Sequence, residues 1–348
     1  MSTASIPSAA TSILIGPAEH GAVRHGAAIA ALTGSPVIRQ LTPGGLAVPA
    51  GTPVAHLHYT DRLFGATTES AATSFVALAA RLAPHVVVTL HDVPTGSTAP
   101  LDVRRAASYR RVSAAADAVI VASSHEGDRL RVCGAAVDAT VIPLPIDPPA
   151  AFGPARPTAS GFCAARRPHG GPAVGVLGFI YPGKGHAEVL AAMELLDGDA
   201  WLWALGAVSP GHDELANELR NAARRQHRPL VIAGPVADDH LGRAMRDVDV
   251  PVVPAIAPSA SASLATWIAA GRRPLVAASA YACEVAAAGP DLLTLYNAHD
   301  PAELAVALNR ALADPASTIR TTPIPPALRA DAVADAHLRL YQQLAGDG

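Results

Sequence analysis

Short apolar runs rich in β-branched residues alternate along the chain with longer segments whose apolar positions recur at helical spacing, the pattern of parallel βαβ units. In the first half the predicted strands are SILIG (12–16), VAHLHY (54–59), VVVTL (86–90), AVIVAS (118–123) and TVIPLP (140–145). Helical patterns fall between them, among others at 21–33, 67–83, 103–116 and 125–133. Residues 147–172 carry no period and are rich in Pro and Gly, as linkers are. The alternation restarts with AVGVLGF (173–179), AWLWALG (200–206), PLVIAG (229–234), VPVVPA (250–255), RPLVAA (273–278) and LLTLY (292–296). A helical pattern at 326–345 closes the chain after the Pro-rich TTPIPPA. The prediction is α/β: two doubly wound domains at 1–150 and 173–325, a linker at 151–172, and a terminal helix within 326–348. Such sheets bind ligands beyond the carboxyl ends of their strands. The site is therefore expected in the loops that follow strands, in a cleft between two domains that close about the linker.

Composition narrows the function. Half of the 348 residues are apolar and 16% are charged, enough for substantial cores. Net charge is −3 and the arginines are scattered or in short pairs, so no basic track for nucleic acid is present. Cys133, Cys163 and Cys283 form no CxxC pair and indicate neither zinc knuckle nor disulfide framework. No segment approaches about 18 uninterrupted apolar residues, and the first fifteen lack a basic region and a long apolar run. A cytoplasmic protein without a transmembrane segment is expected, its oligomeric state left open.

One basic residue stands apart. Lys184, in GFIYPGKGH (178–186), is the only lysine of the chain. Gly178, Gly183 and Lys184 are spaced as in a Walker A loop, but Gly185 stands where that motif needs a Mg²⁺-binding Ser or Thr. Pro182 also removes an amide that a phosphate nest would use. An NTPase is disfavoured.

The surrounding segments carry a resemblance. VVVTLHDVP, ADAVIVASSHEGDRLRVCG followed by VIPLPID, GFIYPGKGHAEVLAAMELL, LVIAGPVADDHLGRAMRDVDVPVVPA and DPAELAVALNRALADP resemble, in order, motifs of glycosyltransferase family 4. The series spans nearly the whole chain. The resemblance implies the GT-B fold, two Rossmann-like domains facing a cleft, and retaining transfer of a sugar from a nucleotide diphosphate donor. It implies that Lys184 binds the donor diphosphate, that His91 touches the transferred sugar, and that the loop after Gly234, with Pro235 and Val236, holds the base. Gly21 matches the glycine at which relatives let a ligand approach the backbone. The terminal helix would cross back to the first domain.

The chain also departs from the family. Phe179 replaces an arginine, and Pro258 and Thr266 stand where relatives carry two glutamates. What remains is a serine cluster: Ser261 or Ser263 can cap a helix starting near Leu264, and the amides of its first turn favour an anion. Arg24 and His25, one turn into the first helix, and His58, Tyr59 and Asp61, at a strand end, are acceptor-site candidates. Helix-surface or ordinary loop roles remain open for them. Asp247 and Asp249, leading into a strand, are assigned no metal. His169, His186, His212 and His240 are isolated and read as solvated.

The leading expectation is a retaining hexosyltransferase acting without metal or other cofactor, with the nucleotide sugar as co-substrate and a carbohydrate acceptor as partner. From resemblance alone, mannosyl transfer from GDP-mannose in actinobacterial polysaccharide assembly comes first, and glucosyl transfer from a nucleotide donor second. A nucleotide-sugar epimerase or hydrolase, or an inactive sugar-binding relative, are the alternatives.

Overall fold

The computed structural model describes residues 10–46, 48–49, 51–82, 84–146, 170–256, 258–298 and 300–346. Of the expected linker, residues 151–169 lie outside them. The chain divides into two compact units, one of residues 1–145 with 326–348, the other of residues 146–325.

The first unit holds strands β1 (Ala10–Ile15), β2 (Val37–Gln40), β3 (Val54–Tyr59), β4 (His85–Leu90), β5 (Ala118–Val121) and β6 (Thr140–Val141). They form one parallel sheet in the order β2-β1-β3-β4-β5-β6. Helices α1 (Gly21–Thr33), α2 (Asp61–Phe64), α3 (Thr68–Ala79), α4 (Pro100–Ala114) and α5 (Ser124–Val132) connect them, and α12 (Ala330–Gly346) returns to pack on α1 and β3. Strands β1 and β3 are buried along their whole length, including the polar Thr11, Ser12, His56 and His58. On one face, Phe75, Leu78, Tyr109 and Val112 pack on Leu57, Tyr59 and Val88. On the other, Ile29, Val333 and Tyr341 pack on Val54, Val87 and Ile120.

Two features differ from expectation. Strand β2 at the sheet edge was not predicted, because VIRQ has two apolar residues followed by Arg39 and Gln40 and presents no apolar run. The predicted 140–145 strand pairs only at Thr140 and Val141. Pro143 and Pro145 beyond it have no amide to donate to a ladder.

The second unit repeats the architecture. Strands β7 (Ala173–Leu177), β8 (Trp201–Leu205), β9 (Leu230–Ile232), β10 (Val250–Val253), β11 (Leu275–Ala277) and β12 (Thr294–Tyr296) form a parallel sheet in the order β12-β11-β10-β7-β8-β9. Its helices are α6 (His186–Glu194), α7 (Asp213–Arg225), α8 (Asp238–Asp247), α9 (Ala262–Ala269), α10 (Ala280–Ala288) and α11 (Pro301–Ala313). Val189, Leu190 and Met193 of α6 and Leu304 and Leu308 of α11 pack on β7, β8 and β10. At the amino end of this sheet the buried Arg272 guanidinium donates to the carbonyls of Met245, Val248, Asp249 and Thr318. It thereby satisfies orphan acceptors where α8 and the turn before β10 end. The Asp249 carboxylate is at the same end, accepting from Ala173 N at 2.7 Å.

In each sheet the chain leaves its first strand toward one edge and later resumes on the other side. The strand order therefore reverses between β1 and β3 in the first unit and between β10 and β7 in the second. Connections diverge at such points and leave a crevice at the carboxyl ends of the strands.

Candidate functional site

In the second unit the loops after β7 and β10 meet at the reversal point. The Lys184 ammonium, 8% exposed, donates to Ser263 Oγ at 3.1 Å, and Ser263 Oγ lies 3.2 Å from Ser261 Oγ. The lysine stem runs across Gly178, where a Cβ would sit 3.1 Å from Nζ and 3.2 Å from Cε. Among the described residues no carboxylate pairs with this ammonium. Burial alone pushes its pKa from 10.5 down to about 8.

Ser261 caps α9, its Oγ accepting from Leu264 N at 3.2 Å. This corrects the expectation for Leu264. Its amide is taken by the cap and its side chain is buried in the core. The first-turn amides of Ala262 and Ser263 are the ones without an intrahelical partner. Thr266, at one of the lost glutamate positions, turns its hydroxyl back to Ala262 O at 2.7 Å. Phe179, in place of the family arginine, is 44% exposed.

The Walker A reading fails on geometry. Gly185 adopts φ +97° as the N-cap of α6, and a Cβ there would lie 2.5 Å from the Pro254 ring. No serine or threonine fits. Lys184 N closes a turn on Tyr181 O at 3.1 Å instead of facing a nest. His186, expected in solvent, is buried, and neither ring nitrogen has a partner. Burial first, and the Lys184 charge second, push its pKa down to about 4. His169 lies outside the described residues. In the loop after β9, Gly234 is left-handed at φ +72° with open space where a Cβ would be, followed by exposed Pro235 and half-buried Val236.

In the first unit the structure gathers a cluster of histidines that sequence reasoning did not assemble. His91, directly after β4, places Nε2 3.2 Å from Nδ1 of His58 on β3. The His25 ring on α1 stands edge-on to both, with centroids 5.4 Å away. His56 lies 4.5 Å from His58 and is hydrogen-bonded to Thr89 Oγ1 at 2.8 Å and Tyr341 Oη at 2.7 Å. His337 of α12 completes the group at 5.8 Å from His56. Burial holds all five below the ordinary histidine range, with mutual repulsion adding to the effect at His25, His56 and His58. His91 is pushed down to about 4 although the Asp92 charge opposes the shift.

The His91–Asp92 corner is held by groups from α4. Tyr109 Oη donates to His91 O at 2.5 Å and Arg105 Nη2 to Asp92 O at 2.7 Å. Arg105 Nε also binds the Asp61 carboxylate at 2.9 Å. Asp92 adopts φ +55°, a left-handed conformation uncommon outside glycine, and accepts from Thr60 Oγ1 at 3.3 Å. Arg105 and Tyr109 gave no sequence signal, being helix residues far along the chain from the strand ends.

Several acceptor-site expectations change. Tyr59 is fully buried among Phe64, Phe75 and Tyr109, on the opposite face from His58. Strand alternation turns it away from any ligand. His58 is itself buried, so it can act only through His91. Asp61 is committed to Arg105 and to Arg62 N. His25 turns inward to the cluster, whereas Arg24 is exposed. Gly21 opens α1 behind the His20 cap, with nothing within 4 Å of a Cβ.

Comparison with known proteins bears on the fold. Residues 63–149 match the model for Glycosyltransferase Family 4. No curated protein matches the sequence. Among solved structures the chain is similar to HepE of Anabaena in complex with UDP and glucose, at 17% identity and TM-score 0.67, over 97% of this chain and 98% of that one. It is similar to sucrose-phosphate synthase from Thermosynechococcus elongatus, at 17% identity and TM-score 0.73, over 97% and 100%. A glycosyltransferase from Rickettsia africae aligns at 12% identity and TM-score 0.71, over 97% and 99%. The fold is GT-B.

Proposed function

We propose that this chain is a retaining glycosyltransferase that moves a hexose from a nucleoside diphosphate sugar to a carbohydrate hydroxyl. One observation carries the reading: a buried ammonium, Lys184, has no carboxylate partner among the described residues and sits against a serine-capped helix start. A buried cation without counter-charge is costly. A diphosphate supplies that charge, and the free amides of Ala262 and Ser263 add a second anion contact.

As the bond between the anomeric carbon and the diphosphate oxygen breaks, its electron pair goes to that oxygen. Lys184 and the helix start then interact more strongly with the leaving group than with the bound donor, which lowers the barrier. The acceptor oxygen bonds to the anomeric carbon on the same face, and its proton passes to the departing phosphate. His91 is assigned to a hydroxyl of the transferred sugar, and the loop from Gly234 to Val236 to the base. With Lys184 as counter-charge, no divalent ion is required.

GDP-mannose and UDP-glucose head the donor candidates, the second supported by the HepE complex with UDP-glucose. The test is nucleotide release from a panel of nucleotide sugars, with and without oligosaccharide acceptors, and the anomeric configuration of the product by NMR. The expected result is release from one donor, stimulated by acceptor and retained in EDTA. Donor epimerisation, inversion, or activity lost in EDTA and restored by Mn²⁺ would overturn the corresponding element.

A further inference from the structure

The contact between His58 and His91 decides what His91 can do. At 3.2 Å one of the two facing nitrogens, His58 Nδ1 or His91 Nε2, must carry the proton and the other the lone pair. His58 has a second nitrogen, and its surroundings decide which. His58 Nε2 is buried without a hydrogen-bond partner. It faces the backbone of Gly26, where a Cβ would lie 2.9 Å from Nε2 and 2.6 Å from Cδ2, in a space shared with the Leu14 side chain. A hydrogen on Nε2 would be a buried donor aimed at carbon. Orphaned buried N–H groups are rarer than under-satisfied acceptors, and a lone pair facing a Cα–H is the milder arrangement. The His58 proton then belongs on Nδ1, which donates to His91 Nε2. His91 in turn carries its own proton on Nδ1, which has no hydrogen bond to another described residue.

We propose that His58 is a positioning residue that locks His91 in the Nδ1–H tautomer, so that His91 offers its ligand a hydrogen-bond donor and has no lone pair with which to accept a proton. For the identity of that ligand, a sugar hydroxyl oxygen, the inference rests on the function proposed above. It assigns His91 to orientation of the transferred sugar. It leaves deprotonation of the acceptor to the leaving diphosphate. Gly26 becomes part of the device, since only a residue without a side chain lets His58 seat its unprotonated edge against α1.

The experiment is a long-range ¹H–¹⁵N correlation spectrum at neutral pH on full-length protein labelled in histidine. With 14 histidines present, the His91 signals are assigned by their loss in His91→Phe. Wild-type protein is expected to show a protonated Nδ1 and an unprotonated Nε2 at His91; the reverse pattern overturns the inference, whatever the activity. In His58→Leu the lock is removed, and His91 should shift toward the Nε2–H form that an unconstrained histidine side chain favours. His58→Asn, whose amide can donate from a similar place, should restore the Nδ1–H form. Transfer should fall about tenfold or more in His58→Leu, in kcat more than in donor KM, and recover in His58→Asn. An unaltered His91 tautomer in folded His58→Leu protein would also overturn the proposal. If His58→Leu does not fold, the wild-type spectrum still decides. Expected spectra in a protein that transfers no sugar would leave the tautomer assignment standing and remove the glycosyltransferase reading.

Discussion

Replacing Lys184 by methionine should stabilise the free protein while weakening nucleotide binding. Methionine keeps the length of the stem across Gly178 but removes the charge. Burial lowers the lysine pKa from 10.5 to about 8. At 1.36 kcal/mol per unit, the charged form carries a burial cost of about 3 kcal/mol. Loss of the Ser263 hydrogen bond returns about 1 kcal/mol, so the second unit should gain about 2 kcal/mol without ligand. The sign of the pH dependence follows. Below about pH 8 the ammonium is charged in both folded and unfolded chain, and the cost is fully present. Between about 8 and 10.5 the folded chain has released the proton that the unfolded chain still holds, so wild-type stability rises across that window and that of Lys184→Met does not. With UDP or GDP present the order reverses, because removing one partner of a buried charge pair costs about 2–5 kcal/mol, roughly thirty-fold to several thousand-fold in affinity or in kcat/KM. Urea denaturation followed by tryptophan fluorescence measures this directly. Trp201, Trp203 and Trp267, the only tryptophans, are all in the second unit. A variant less stable than wild type that binds nucleotide equally well would refute the argument.

Gly185→Ser should lower the yield of folded protein or destabilise the second unit by about 2 kcal/mol or more, because the residue is left-handed and abuts Pro254; a stable variant with new Mg²⁺-dependent ATP hydrolysis would revive the P-loop reading. Arg105→Met leaves the Asp61 carboxylate and Asp92 carbonyl without their donor, and should cost about 2–4 kcal/mol in the first unit; proteolysis near residue 92 unchanged from wild type would count against its role in holding that corner. Acid should unfold the first unit early. His25, His56, His58, His91 and His337 stay neutral in the folded chain but protonate near pH 6.5 when unfolded, so stability is lost as pH falls below that value, by up to about 1.4 kcal/mol per histidine per pH unit. A circular dichroism titration should show a transition between about pH 6.5 and 5, and a fully native spectrum at about pH 4.5 would contradict the burial of these rings.

What the sequence determined was local. Apolar runs of strand length and helical periodicity placed nearly all the β and α elements, because parallel strands buried on both faces and helices with one buried face have periods that are visible without tertiary knowledge. Its solitary occurrence likewise singled out Lys184, and Ser261 and Ser263 ahead of the apolar run from Leu264 marked a capped helix start. Strand β2 escaped because VIRQ has only two apolar residues, followed by Arg39 and Gln40, and so presents no apolar run. Tertiary structure decided the rest. It set the strand orders whose reversals bring the β7 and β10 loops together, and it separated His58 from Tyr59, adjacent in sequence but on opposite faces of a pleated strand. It assigned the Leu264 amide to a helix cap, and brought Arg105 and Tyr109 to the His91 corner. His56 and Tyr341, 285 positions apart, share a hydrogen bond because α12 packs against α1 and β3. No local pattern encodes that pairing: it exists only once a helix from the far end of the chain has found the face of the sheet that buries it.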